Sequence, residues 1–242
     1  MRLYYFNTIK KSSATYNYFY TMEKSKVKGL IFDLNGTMVN DMYYHNLAWF
    51  EIVNQYLGGN FTMEEVAKEM YGKNEEVIAR FFGSNTFSDE KLAEISIKKE
   101  TVYQELYQPY LALIEGLDKF LMLAKTKELP IAIGSAAIPF NIDFVLNNLA
   151  IGNYFNAIVS ADDVINGKPH PEVFIKCAHA IGVDKENCLV FEDSPKGAEA
   201  ALRAGMRCVA ITTLHPATDF ADNEAVVLVI DNYNDERLLK LL

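Results

Sequence analysis

From Val27 onward the chain alternates short β-branched apolar runs with longer stretches of helical period, the pattern of a parallel sheet covered by helices on both faces. The apolar runs predict strands over residues 27–32, 130–134, 156–159, 188–191, 207–211 and 226–230. Roughly a hundred residues with little strand signal separate the first two, far more than an ordinary crossover needs, so they read as an inserted domain. Within it Leu47, Phe50, Val53 or Asn54, and Leu57 keep helical spacing, and 63–82 and 88–108 read as further helices. The expected fold is α/β: a doubly wound, mainly parallel core from 27–40 and 114–242, with a helical cap over 41–113. Its junctions, near Asn40 and between Leu113 and Gly116, are placed to act as hinges. One helix is bounded sharply, with Ser194 to cap it, Pro195 at its first position and Gly205 to end it.

Composition narrows the class. Half of the 242 residues are hydrophobic, enough for one substantial core and a smaller second domain. A net charge of -9 and a pI near 5.0 argue against non-specific nucleic-acid binding and against an anionic membrane surface as partner. No apolar run has the length of a membrane span. Cys177, Cys188 and Cys208 are odd in number and lack short paired spacing, which fits reduced, mostly buried thiols in a cytoplasmic protein, expected to be a monomer. Residues 1–26 are rich in tyrosine and serine and have no sustained apolar stretch, so a flexible extension is expected rather than a secretory signal; a start at Met22 accounts for them equally well. Asn60, Phe61 and Thr62 spell a glycosylation acceptor, but nothing directs the chain to a secretory compartment.

The candidate chemistry lies just beyond the predicted strands. Asp33 opens Asp33-Leu34-Asn35-Gly36-Thr37 after the first, Ser135 follows the second, Lys168 lies in the loop beyond the third, and Glu192 and Asp193 follow the fourth. In an open parallel sheet the carboxyl ends of the strands share one edge, so these residues can converge in one crevice. Together they suit phosphoryl transfer: Asp33 and Asp193, with the Asn35 backbone carbonyl, as hard oxygen ligands for Mg²⁺, and Lys168 as a point cation offsetting the charge of nucleophile and phosphate. Ser135 would hydrogen-bond a phosphoryl oxygen, and backbone amides near Asn35 and Ala136 would complete the anion cradle. Taken singly, each residue reads as well as a turn or cap residue; joint order and placement favour the site.

On these residues the sequence resembles the haloacid dehalogenase-like superfamily, whose motifs are DxDGT, a Ser or Thr, a Lys and a terminal acidic pair. Within it the β-phosphoglucomutase-like branch is most similar, through His45, Ala48 and Trp49, GKPHPEVF at 167–174 and FEDSPKGAEAA at 191–201. The resemblance implies a Rossmann-like core with a helical cap, Mg²⁺, and an aspartyl-phosphate intermediate on Asp33. Ser135 and Lys168 become the phosphate-binding pair, Gly36 and Thr37 complete the first motif, and Asp193 with Glu192 becomes the metal-binding acid. His45 falls where the branch places a histidine near the acid/base residue.

Two departures limit that expectation. Asn35 stands where such enzymes carry the aspartate that protonates the leaving group, and an amide cannot shuttle a proton. Asn35 is therefore either natural, with His45 as proton carrier or with weak turnover, or an engineered trap, or the mark of a protein that binds phosphorylated ligands without processing them. Glu75 stands where a sugar mutase is expected to carry a cap arginine, Ala136, Ala137 and Ile138 replace a Ser and Lys, and Lys73 and Arg80 compensate only in part. The reading is an attenuated Mg²⁺-dependent phosphatase acting on a small phosphorylated metabolite, with a phosphoglucomutase-like isomerase or a non-catalytic phospholigand binder as alternatives.

Overall fold

The computed structural model describes residues 26–242. Apart from Lys26, the expected extension lies outside the described residues. In chain order the elements are β1 (Gly29–Phe32), α1 (Met42–Glu51) running on into a π-helical turn at Ile52–Tyr56, α2 (Met63–Glu69), α3 (Asn74–Phe82) and α4 (Asp89–Tyr107). They continue as α5 (Leu117–Thr126), β2 (Ile131–Gly134), α6 (Pro139–Asn148), β3 (Ala157–Val159), α7 (Glu172–Ala180), β4 (Cys188–Glu192), α8 (Pro195–Ala204), β5 (Arg207–Ile211) and β6 (Val226–Ile230).

The six strands form one parallel sheet in the order β3-β2-β1-β4-β5-β6. Strand alternation divides its two faces. Leu30, Phe32, Ile133 and Phe191 pack with Phe120 and Leu121 of α5, whereas Ile31, Ala132 and Val190 pack with Phe174 of α7 and Ala198 and Ala201 of α8. Phe32 and Phe191 are paired in register and stack at 4.5 Å, so the strand ends that carry Asp33 and Glu192 are tied together by a buried aromatic contact. Ser194 caps α8 by accepting from the Gly197 amide, Pro195 takes its first turn and Gly205 closes it in the left-handed region, as the sequence predicted. All three cysteines are buried and unpaired. Among the described residues no helix is long and apolar enough to cross a membrane.

The helix expected over 63–82 is two helices. Thr62 and Glu65 form a capping box at the start of α2, and Met70 to Lys73 leave helical geometry with Gly72 at φ 81 before α3 begins. The left-handed Gly72 thus outweighs the apolar period, which resumes in phase at Val77. The segments leaving and re-entering the sheet lie side by side, Val39 bridging Leu113 and the Ile114 amide donating to the Met38 carbonyl. One continuous apolar cluster links the α5 and α6 face of the sheet to Trp49, Val77 and Tyr103 of the inserted helices.

Candidate active site

Four strand ends deliver the site. The Asp33 amide donates to the Phe191 carbonyl and the Ser135 amide to the Val159 carbonyl, so hydrogen bonding continues one residue past β1 and β2 and fixes where both side chains leave the sheet. Lys168, on the loop after β3, donates to Asp33 Oδ1 at 2.7 Å and to Glu192 Oε1 at 2.5 Å. The other Glu192 oxygen accepts from the Ser194 amide and hydroxyl, both at 2.9 Å, so Glu192 steadies Lys168 and the start of α8 together. A Cβ on Gly197 would fall 1.8 Å from Glu192 Oε1, so only glycine lets the helix approach this closely.

Asp33, Glu192 and Asp193 place oxygens within 4.8 Å of one another, all buried. Burial, partly countered by Lys168 and reinforced by Glu192, raises the Asp33 carboxyl from 3.8 to about 7. Burial, then Glu192 and Asp33, lift Asp193 well above the carboxylate range. Burial opposes the Lys168 charge, but Asp33 and Glu192 outweigh it and hold the ammonium above an ordinary lysine. Three carboxylates against one ammonium suit a hard divalent cation, with Asp33 and Asp193 offering the less encumbered oxygens.

The first-motif turn is shaped to the same acid. Gly36 has φ 77, and a Cβ there would lie 2.0 Å from Asp193 Oδ2; Thr37 Oγ1 donates to Asp193 Oδ1 at 3.3 Å. Thr213 and Tyr233 donate to the Gly36 and Thr37 carbonyls, at 2.5 and 3.0 Å. Neither was foreseen: they lie almost two hundred residues downstream of the turn and carry no motif of their own.

Asn35 and His45 belong to a buried network beside this cluster. Asn35 Nδ2 donates to Asp41 Oδ2 at 2.6 Å and lies 3.0 Å from His45 Nε2. His45 Nδ1 faces the Lys99 ammonium at 2.6 Å, so donors lie against both ring nitrogens, and Nε2 is also 3.6 Å from Asp41 Oδ2. Asn35 and Tyr103 both donate to the same Asp41 oxygen, and both ring nitrogens of His45 face protein groups. Lys99 also pairs with Glu100 at 3.0 Å, whose carboxyl, despite burial, is held below the usual range by Lys99 and His45.

Asp41, Lys99 and Tyr103 join Thr213 and Tyr233 among the residues the sequence did not point to. Asp41 sits where a helix cap is expected, yet its carboxylate makes no capping bond; it accepts instead from Asn35, the Gly36 amide (3.1 Å) and Tyr103 Oη (2.5 Å). Tyr103 stacks flat on His45 at 3.8 Å. A small pocket is lined by Lys73, Ser135, Ala136, Gly167 and Lys168, which brings these predicted residues together. Lys73 donates to the Val164 carbonyl, and Arg80 is held by Glu69 and by backbone carbonyls.

A parallel sheet with acidic, basic and hydroxyl side chains gathered at the carboxyl ends of its strands defines a class, and the sequence match gives it a family. The family model for haloacid dehalogenase-like hydrolases matches residues 30–211, and the chain belongs to that family. Its relatives include a β-phosphoglucomutase of Bacillus subtilis, 31% identical over 76% of this chain and 83% of that protein. A fructose-1-phosphate phosphatase of Escherichia coli is 28% identical over 77% of this chain and 97% of that protein. In fold, a family IA hydrolase of Entamoeba histolytica superposes with a TM-score of 0.79 at 23% identity, covering 89% of this chain and 99% of that one.

Proposed function

We propose that the chain is a Mg²⁺-dependent phosphatase of small phosphorylated metabolites, with Asp33 as nucleophile. The observation that carries the reading is the buried set of Asp33, Glu192 and Asp193 around the single Lys168 ammonium, next to Ser135. Asp33 Oδ attacks phosphorus while the bond to the leaving oxygen breaks, giving an aspartyl phosphate. Water then attacks the same phosphorus, the bond to Asp33 breaks, and phosphate leaves with the carboxylate restored. Lys168 and the Ser135 hydroxyl hold phosphoryl oxygens, with backbone amides near Asn35 and Ala136 completing the cradle. Asp33, Asp193 and the Asn35 backbone carbonyl would hold Mg²⁺, which supplies Lewis-acid neutralisation of the phosphoryl charge. The inserted helices act as a cap that excludes water, with hinges at the Val39–Leu113 pairing.

Asn35 leaves the departing oxygen without a positioned acid, so good leaving groups are favoured. A mutase acting on bisphosphorylated sugars is less well supported, because Glu75 takes the cationic position and Lys73 and Arg80 bond to the protein itself. The test is phosphate release, with Mg²⁺, from a panel of sugar phosphates and an acyl phosphate. Release is expected, fastest from the acyl phosphate; glucose 6-phosphate formed from glucose 1-phosphate would support the mutase, and binding without release a phospholigand-binding protein.

The carboxyl pKa shifts give a metal test. Asp33 keeps its proton in the fold between 3.8 and about 7 but loses it when unfolded, so the metal-free protein loses stability as pH rises through that window. Mg²⁺ competes with that proton, so its stabilising shift in melting temperature is expected to be larger above neutral pH than at about pH 5. Gly36→Ala, which forces a Cβ against Asp193, should reduce the shift at both. A shift independent of pH would count against the carboxylate site.

A further inference from the structure

The turn between α2 and α3 touches two of the core segments that carry site residues. Lys73 Nζ donates to the Val164 carbonyl at 2.7 Å, in the segment leading to Lys168. That segment is braced from the core by Glu172, which accepts from the Ile165 and Asn166 amides at 3.2 and 3.1 Å and pairs with Lys176 at 2.7 Å. Two residues before Lys73, the Tyr71 ring carries two cations. The Arg80 guanidinium lies 3.8 Å from the ring centroid, and the Lys196 ammonium, three residues beyond Asp193 on the first turn of α8, lies 3.0 Å from it.

Arg80 is anchored among the inserted helices, donating to the Glu69 and Tyr71 carbonyls and pairing with Glu69 at 3.3 Å. It fixes the ring from its own side. Lys196 belongs to the core, so its contact with the ring crosses between the inserted helices and the sheet domain. Desolvation, and after it the Arg80 charge, hold Lys196 below an ordinary lysine, against the opposing charges of Glu69 and Glu76. Gly72, at φ 81, is packed against the Glu76 carboxylate, which also accepts from the Lys73 amide, so the turn presents Tyr71 and Lys73 in a set geometry.

We propose that Tyr71 and Lys73 are positioning residues forming a two-point latch, which holds the inserted helices closed on the core through Lys196 and the Val164 carbonyl and so sets the loop that delivers Lys168. Closure is thereby coupled to the phosphate-binding lysine without either latch residue taking part in the chemistry. The kinetic consequence rests on the phosphatase reading; the latch itself does not, because it is measurable without turnover.

Hydrogen exchange of the ligand-free chain and steady-state phosphate release test it in parallel, with Tyr71→Phe, Tyr71→Leu, Lys196→Arg, Lys196→Met and Lys73→Met. Tyr71 is 41% exposed and Lys196 is also exposed, so these changes spare the core. Tyr71→Leu and Lys196→Met should each speed amide exchange in the 164–168 segment and raise KM about threefold, the size of one exposed cation–π contact, with a smaller effect on kcat. Tyr71→Phe and Lys196→Arg keep a ring and a cation and should behave as wild type, and Tyr71→Leu with Lys196→Met should be no worse than the poorer single variant. Lys73→Met should speed exchange in the same segment. Tyr71→Phe as impaired as Tyr71→Leu, additive losses in the double variant, or unchanged exchange would each overturn the latch. If no protein releases phosphate, the proposed activity fails while exchange still decides the latch.

Discussion

Asp33→Ala is expected to abolish phosphate release, by on the order of 10⁴-fold or more, because it removes the proposed nucleophile rather than a group that assists one. It should also remove any acid-stable phosphoenzyme formed with an acyl phosphate. Stability should move the other way from activity. The Asp33 carboxyl is disfavoured by burial and by Glu192, and Lys168 keeps its contact with Glu192 at 2.5 Å when Asp33 is gone. The variant should therefore melt no lower than the wild type in the absence of metal, and its Mg²⁺-dependent shift should shrink with the loss of one ligand. Persistent acid-stable labelling of Asp33→Ala would place the nucleophile elsewhere.

Asn35→Asp is the gain-of-function counterpart. The restored acid/base is expected to raise phosphate release at least tenfold, within the ~10²–10⁴ that a positioned proton carrier typically contributes. The surroundings favour this outcome. The Asn35 amide nitrogen lies 2.6 Å from Asp41 Oδ2, so one oxygen of an introduced carboxyl would face another carboxylate. Like charge at that distance raises a carboxyl pKa, keeping the proton available near neutrality for the leaving oxygen. His45 Nε2, 3.0 Å from the same point, would steady the carboxylate left after transfer. Poor leaving groups should gain most and the acyl phosphate least. Because an attractive N–H···O contact becomes an acid–acid one, the variant should also melt lower, most clearly at high pH. Equal rates for the two proteins would show that proton transfer at this position is not limiting, and binding without release in both would favour a phospholigand-binding role.

The fold was legible because its signals are local. Strand positions followed from apolar runs whose residues are buried on both faces of a parallel sheet, and the bounds of α8 from Ser194, Pro195 and Gly205, which act on the backbone next to them. The break between α2 and α3 was missed because the apolar period resumes in phase at Val77, while the φ of Gly72 decides the geometry. In the site, Asp33, Lys168, Glu192 and Asp193 were legible for a topological reason: each ends or follows a strand, and a parallel sheet brings such positions to one edge. Asp41 was not, because a carboxylate at the start of a helix reads as a cap, and only its contacts with Asn35, Gly36 and Tyr103 show what it holds.

By itself the sequence determined the α/β class, the order of the strands along the chain, and the acidic, basic and hydroxyl groups available at their ends. Periodicity and strand–turn punctuation act over a few residues, and one chain suffices to read them. Tertiary structure alone decided how those groups are partnered: that Lys168 is shared between Asp33 and Glu192, that the Asn35 amide is drawn to Asp41, and that Lys73 meets the Lys168 loop. Side-chain direction and contacts between distant segments set these pairings, and Lys168 with Asp33, 135 residues apart, carries no trace of its pairing in local pattern. Asp33, Gly36 and Asp193 mark the proposed site of phosphoryl chemistry, and the packing around Asn35 is what the Asn35→Asp rates would probe.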